Sequence, residues 1–276
     1  MKLYKTTILS VAAGFLCSLN ATAQTFNYNN GDLLLGFRTP GGTSDLVVDI
    51  GAASLYSGAS GPITISGNYY NSSQLTDAGL TLNNLYFSVF GDISPGSSYP
   101  GTANTLWVTA PQAINPIQAP AWSAQTSANQ GNTRSQMESI AFGATYTSFG
   151  EAASADNTAT AVVVPSSLDL TGEGALSYTV GIGPNGNFNG NFGSNNNIEQ
   201  STSANFSSGV VNYDSVRSDL FTMVPGSNGS YLGFFQLDPD GTLTFNPEPV
   251  PEPTTWAAFG LGLVGLAGWR RIIRKS

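Results

Sequence analysis

The chain's apolar residues come in short runs separated by Gly, Asn, Pro and Ser, and this pattern restricts the folds open to it more than any other feature. The runs are Asp32–Arg38 (DLLLGFR), Asp45–Ile50 (DLVVDI), Pro62–Ser66, Asn84–Phe90 (NLYFSVF), Thr105–Thr109 (TLWVT), Ala159–Val164 (ATAVVV), Leu176–Gly181 (LSYTVG), Asp219–Val224, Ser230–Leu237 (SYLGFFQL) and Gly241–Phe245. Each has the length of a strand and is bounded by turn residues. They predict an all-β fold, a β-sandwich-like domain, with a second small domain left open. The last two runs flank Asp238-Pro239-Asp240-Gly241, whose Asp-Gly step supplies the positive φ of a tight hairpin.

One or two short helices are expected within this β pattern. Thr133 and Gln136 have capping-box spacing, and Met137, Ile140 and Ala141 make one apolar face, so a helix is predicted over Thr133–Gly143. A shorter helical turn is predicted at Gly51–Leu55. Residues 110–132 and 183–209 read as long loops. The second contains Phe188 and Phe192 at a four-residue step in a Gly/Asn-rich stretch. Those two rings either contact carbohydrate or tuck onto the sandwich, and tucking is the simpler expectation.

The ends of the chain read as addresses. MKLYKTTILSVAAGFLCSLNATAQ places Lys2 and Lys5 before an apolar run and ends in the small-x-small step Ala21-Thr22-Ala23. That order describes a secretory signal peptide and helix over residues 1–23, cut by signal peptidase after Ala23. Cys17 is the only cysteine and lies inside that run, with Leu16 where a lipoprotein needs a small residue. The mature chain would then hold no thiol, and residues 24–246 must be held by an ordinary hydrophobic core.

Charge follows the same division. Arg38, Arg134 and Arg217 are the only basic residues from Gln24 to Pro253, against all seventeen acidic ones, a balance of −14. Such a surface repels nucleic acid and anionic lipid.

Most catalytic chemistries lack their residues. With no histidine in the chain, Ser-His-Asp catalysis and His-based zinc or iron sites are excluded. Without lysine between residues 24 and 253, Schiff-base chemistry is excluded too. Only carboxylate pairs remain, at Asp45/Asp49, Glu138/Glu151 and Asp169/Glu173. In principle they suit a glycosidase, but their expected role is solubility and turn-capping. Asp238-x-Asp240-Gly241 resembles half a calcium loop, yet Gln236 and Pro247 occupy the positions of the further ligands. No metal or cofactor is expected. Asn71, Asn205 and Asn228 head glycosylation-type triplets of a kind common by chance in an Asn/Ser-rich chain.

The C-terminal stretch is NPEPVPEPTTWAAFGLGLVGLAGWRRIIRKS. A proline-rich linker, residues 247–253, leads into an uncharged run bracketed by Trp256 and Trp269, with Arg270, Arg271, Arg274 and Lys275 behind it. Residues 254–276 are therefore predicted to form a single transmembrane helix with a basic tail left in the cytoplasm. The fourteen residues from Trp256 to Trp269 make about 21 Å of helix against a hydrocarbon core of about 30 Å. Such a stop is marginal and suits temporary anchoring.

Val250-Pro251-Glu252-Pro253, the apolar span and the Arg270-Arg271 cluster together resemble the PEP-CTERM sorting signal of diderm bacteria. The resemblance implies recognition by a membrane-embedded exosortase, cleavage near Pro251, Glu252 and Pro253, and delivery to the cell surface or an exopolysaccharide matrix. NYNNGDLLLGFR, from Asn27, and Ser218–Phe245 are also similar to uncharacterised bacterial PEP-CTERM surface proteins. That likeness implies one domain spanning both ends of the ectodomain and no catalytic residue.

The expected function is a non-enzymatic surface or matrix protein, anchored transiently in the inner membrane. Its expected partners are signal peptidase, the exosortase and exopolysaccharide, but not nucleic acid. The alternatives are a carbohydrate-binding or adhesive module using Trp107, Trp122 or the Tyr69-Tyr70 pair as stacking platforms, and, more remotely, a glycoside hydrolase.

Overall fold

The computed structural model describes residues 25–112, 118–149, 157–203 and 215–247. In chain order the strands are β1 (Asp32–Arg38), β2 (Ser44–Ala52), β3 (Ile63–Thr64), β4 (Tyr86–Asp92), β5 (Leu106–Pro111), β6 (Ala161–Pro165), β7 (Asp169–Leu170), β8 (Ala175–Leu176), β9 (Gln200–Ser201), β10 (Val216–Met223), β11 (Ser230–Leu237) and β12 (Leu243–Pro247). The helices are α1 (Ala53–Ser57), α2 (Ser72–Asp77), α3 (Ser127–Phe149) and α4 (Tyr178–Ile182).

One antiparallel sheet runs in the order β3-β12-β11-β10-β5-β4-β1-β2-β6. The second half of β4 pairs with β5 and its first two residues with β9. Side chains alternate between two buried faces. Leu33, Leu35 and Phe37 of β1 enter one core, and Leu34 the other. Strands covered on both faces need apolar residues at successive positions, hence the continuous runs in the sequence.

The first core joins Leu46, Val48 and Ile50 of β2 to Leu220, Phe235 and Phe245 from the other half of the same sheet. The sheet therefore curls on itself, and a single sheet supplies both layers of the sandwich-like packing. Tyr56 of α1 fills the fold, its ring 5.1 Å from Phe245 and 5.8 Å from Phe235. Its hydroxyl donates to the Ile50 carbonyl at 2.7 Å. The segment after β3 crosses the open seam: β3 pairs with β12, while the Tyr69 carbonyl accepts from Thr160 Oγ1 beside β6 at 2.8 Å. Asn71 then caps α2 in a reciprocal capping box with Gln74.

The second core lies between the sheet and a cover of α3, α4 and the Gly/Asn-rich segment. Met137, Ile140 and Ala144 of α3 meet Tyr178, Phe188, Phe192 and Phe90 there. Phe90 and Tyr178 stack 5.9 Å apart with a 4° interplanar angle. Phe188 and Phe192 are fully buried, as the tucked arrangement requires.

Two predicted elements differ in the structure, and α2, β7 and β9 have no counterpart among the sequence expectations. The predicted helix Thr133–Gly143 is the middle of α3, which runs from Ser127 to Phe149. Thr133 is no cap; its hydroxyl donates to the Asn129 and Asn191 carbonyls inside the helix packing. The stretch read as a strand, Leu176–Gly181, ends β8 and becomes α4. Ser177 caps that helix by accepting from Val180 N, and Asp45 accepts from both Thr179 N and Oγ1 at 2.7 Å. These contacts override the strand preference of Tyr-Thr-Val.

The Asp238–Gly241 hairpin forms as expected, with Gly241 at φ +87° and its N–H donating to the Asp238 carbonyl. Among the described residues no helix is long and apolar enough to cross a membrane.

Candidate functional site

The chain leaves the described fold at the end of β12, and this exit is built tightly. Pro247 pairs with Gly233 of β11. Gly233 has φ +144°, and a Cβ there would collide with the Asn246 carbonyl and Pro247 Cα, so only glycine lets β12 lie this close. Two residues earlier Phe245 is fully buried, its ring 5.0 Å from Phe235.

The β10–β11 turn, residues 224–229, stands at the same end of the sheet. Val224 is 40% exposed. A segment on the way from β5 to α3 packs onto this turn. Gly229 N donates to the Trp122 carbonyl at 2.9 Å, Gly226 N to the Gln125 carbonyl at 2.7 Å and Ala124 N to Asn228 Oδ1 at 2.9 Å. Neither the turn nor residues 122–125 carries a charge. Asp238 and Asp240 lie at the opposite end of β11.

Near its other end the chain is anchored as firmly. Phe26 is buried in the second core, with its N–H donating to Ser148 Oγ at 3.1 Å. The expected address residues lie outside the described residues: Ala21 and Ala23, Pro251, Glu252 and Pro253, Trp256 and Trp269, and Arg270, Arg271, Arg274 and Lys275.

The named aromatics serve packing. Trp107 is 7% exposed with Tyr99 edge-on at 5.8 Å, and Tyr70 is buried with its ring 5.2 Å from Phe37. Trp122 is half-buried and meets Phe192 edge-on at 5.3 Å. Tyr69 is half-buried on the seam segment. Among the described residues the exposed rings are Phe142 and Tyr146, which sequence spacing does not single out; they lie one turn apart on the outer face of α3, each nearly half exposed.

The carboxylates divide between the two expected roles. Asp169 and Glu173 are exposed, as a solubilising role requires, while Asp45 and Asp49 are buried and cap backbone. Asp49 accepts from Gly51 N at 2.7 Å. Burial pushes the Asp49 carboxyl up to about 7 and that of Asp45 to about 6, with the Thr179 hydrogen bonds opposing the rise at Asp45. Glu151 lies outside the described residues.

Glu138 instead neighbours Asp92, a fully buried carboxylate that sequence spacing did not single out. Ser94 Oγ donates to Glu138 Oε1 and, at 3.4 Å, to Asp92 Oδ1; Tyr28 OH donates to Asp92 Oδ2 at 3.4 Å. Arg134 NH1 reaches both Glu138 oxygens at 2.7 Å. Burial first, and then the charge of Glu138, raise the Asp92 carboxyl to about 7. The group can therefore hold a proton at neutral pH. Among the described residues no three His, Cys, Asp or Glu side chains gather as a metal site.

A second network pins the Gly/Asn-rich segment to the sheet. Arg38 donates to Glu199 through Nε at 2.7 Å and NH2 at 2.5 Å, and Glu199 also accepts from Tyr178 OH at 2.8 Å. Tyr178 in turn meets Ser88 Oγ at 2.7 Å. Burial works against the Arg38 charge, but the Glu199 hydrogen bonds and charge outweigh it and hold the guanidinium protonated. A small hollow of about 140 Å³ beside α2 is lined by Leu75, Leu80, Leu82 and Leu85 together with Ser72, Thr76 and Thr81. That lining has no ionisable group.

Residues 249–272 match the family described as the PEP-CTERM protein-sorting motif. No curated protein and no solved structure matches the chain, so the likeness of the ectodomain to other surface proteins gains no support from relatives. The match begins two residues beyond the end of β12.

Proposed function

We propose that this PEP-CTERM protein, exported and sorted through its C-terminal signal, is a non-enzymatic protein of the cell surface or extracellular matrix. The observation that carries the reading is the sorting motif at residues 249–272, set immediately behind the last strand of the described fold. Secretion through the N-terminal signal leaves a thiol-free domain of net charge −14 over residues 24–253. The apolar span holds it briefly at the inner membrane, and exosortase cleavage near Pro251-Glu252-Pro253 releases it toward the surface or an exopolysaccharide matrix.

Two features of the fold support a structural role for the domain. Its buried carboxylates are engaged by backbone caps and internal networks, and most of the aromatics expected as sugar platforms pack against protein. Fractionation of cells with and without the exosortase tests the reading. Wild-type cells should carry the protein in the surface or matrix fraction, and exosortase-deficient cells should retain it with the inner membrane. The same distribution in both strains would contradict the reading.

A second reading, an adhesive or carbohydrate-binding module, is favoured by one observation, the exposed Phe142–Tyr146 pair on α3. Rings one turn apart on an outer helical face are available for stacking. If they bind glycan, a Phe142→Ala/Tyr146→Ala double variant should lose retention on exopolysaccharide at least tenfold while keeping its melting temperature. Unchanged retention eliminates this reading.

A further inference from the structure

The sorting motif is tied to the folded domain by a very short leash. Pro247 is the last residue of β12 and Pro251 is four residues on. Four residues span at most about 14 Å, even fully extended. The strand cannot be drawn out to lengthen the leash. Leu243 and Phe245 are fully buried, and Asn246 and Pro247 lie against Gly233 in a space no other residue would leave. A single helix with its side chains is about 10–12 Å across. An enzyme that grips Pro251-Glu252-Pro253 between walls of even that thickness fills the gap to the domain.

We propose that the exit end of the ectodomain, the turn from Val224 to Gly229 with Trp122–Gln125 packed on it, is the surface that contacts the exosortase during sorting. This rests on the exosortase reading above. The patch suits a protein partner seated at a membrane: it is uncharged on an otherwise acidic domain, Val224 is exposed, and Ser227 and Asn228 offer exposed polar groups. The bilayer is a poorer fit for the same patch. Trp256, the start of the apolar run, is nine residues past Pro247, a reach of up to about 32 Å, more than twice the distance to the enzyme's grip.

Photo-crosslinking in cells tests the contact on the full-length chain. A benzophenone amino acid is placed at Val224, at Ser227, or at Asp240 on the far end of the sheet, in cells carrying a tagged, cleavage-deficient exosortase. Crosslinks to the exosortase from positions 224 and 227 should exceed those from 240 at least tenfold. Inserting twelve Gly/Ser residues between Pro247 and Glu248 should reduce them at least fivefold. Equal yields from the two ends, crosslinks to lipid alone, or yields unaffected by the insertion would overturn the proposal. Failure of the sorting reading itself looks different: the chain would then have the same mass in cells with and without active exosortase.

Discussion

Asp49 and Asp92, both buried with carboxyls raised to about 7, and Asp45, raised to about 6, make stability depend on pH in an unusual direction. An unfolded aspartate titrates near 3.9. The folded protein therefore binds more protons than the unfolded chain between about pH 4 and pH 7, and its stability falls as pH rises through that window. Each contribution is fully present below about pH 4 and lost above the folded value. The melting temperature should accordingly be higher at pH 5 than at pH 8. An Asp49→Asn/Asp92→Asn variant should flatten that slope. A melting temperature that rises from pH 5 to pH 8 would contradict the assignment.

Glu199 is 1% exposed at its side chain and faces Arg38, so removing the arginine strands a buried charge. Arg38→Ala should destabilise the fold by about 3–5 kcal/mol, and Arg38→Met/Glu199→Met by much less. Denaturant unfolding of both variants checks the ordering, and a double variant weaker than the single would refute it. The sequence shows little of this chemistry. Arg134 and Glu138 stand four apart on one helix, whereas Arg38 and Glu199 are 161 residues apart and meet only in the fold.

Among the elements, β1 and β11 match their sequence runs to the residue: β1 is an apolar run buried on both faces, whereas β11 buries alternate residues, Gly233, Phe235 and Leu237. The ends of α3 were not legible. Its first and last turns are rich in Ser, Asn and Thr, and side-chain hydroxyls bond back into the helix where an apolar stripe would otherwise mark it. The strand expected at Leu176–Gly181 failed for a related reason: the Asp45 carboxylate that caps α4 comes from 134 residues away. Low-complexity composition also disguised the segment around Phe188 and Phe192 as a loop, although its two rings close the second core. Phe192→Ala should cost about 3–5 kcal/mol. It should also change the emission of Trp122, whose ring sits 5.3 Å away. A mild cost with unchanged fluorescence would mean that the segment does not seal that core.

At the scale of the whole molecule, one curled sheet and its helical cover hold both ends of the described fold. Phe26 is locked into the second core three residues after Ala23, and β12 is locked four residues before Pro251. The sorting motif was legible because it is a linear pattern, matched over residues 249–272, that needs no fold to bring its residues together. The surface that would meet that enzyme was not legible, since Trp122, the 224–229 turn and the end of β12 reach one end of the sheet only through strand order.

Intact-mass spectrometry of the protein from matched strains bears most directly on the sorting account. With active exosortase the mature chain should begin at Gln24 and lack the residues beyond Pro253, including Arg270, Arg271, Arg274 and Lys275. Without the enzyme it should retain them through Ser276. A chain that ends at Ser276 in both strains would contradict the account.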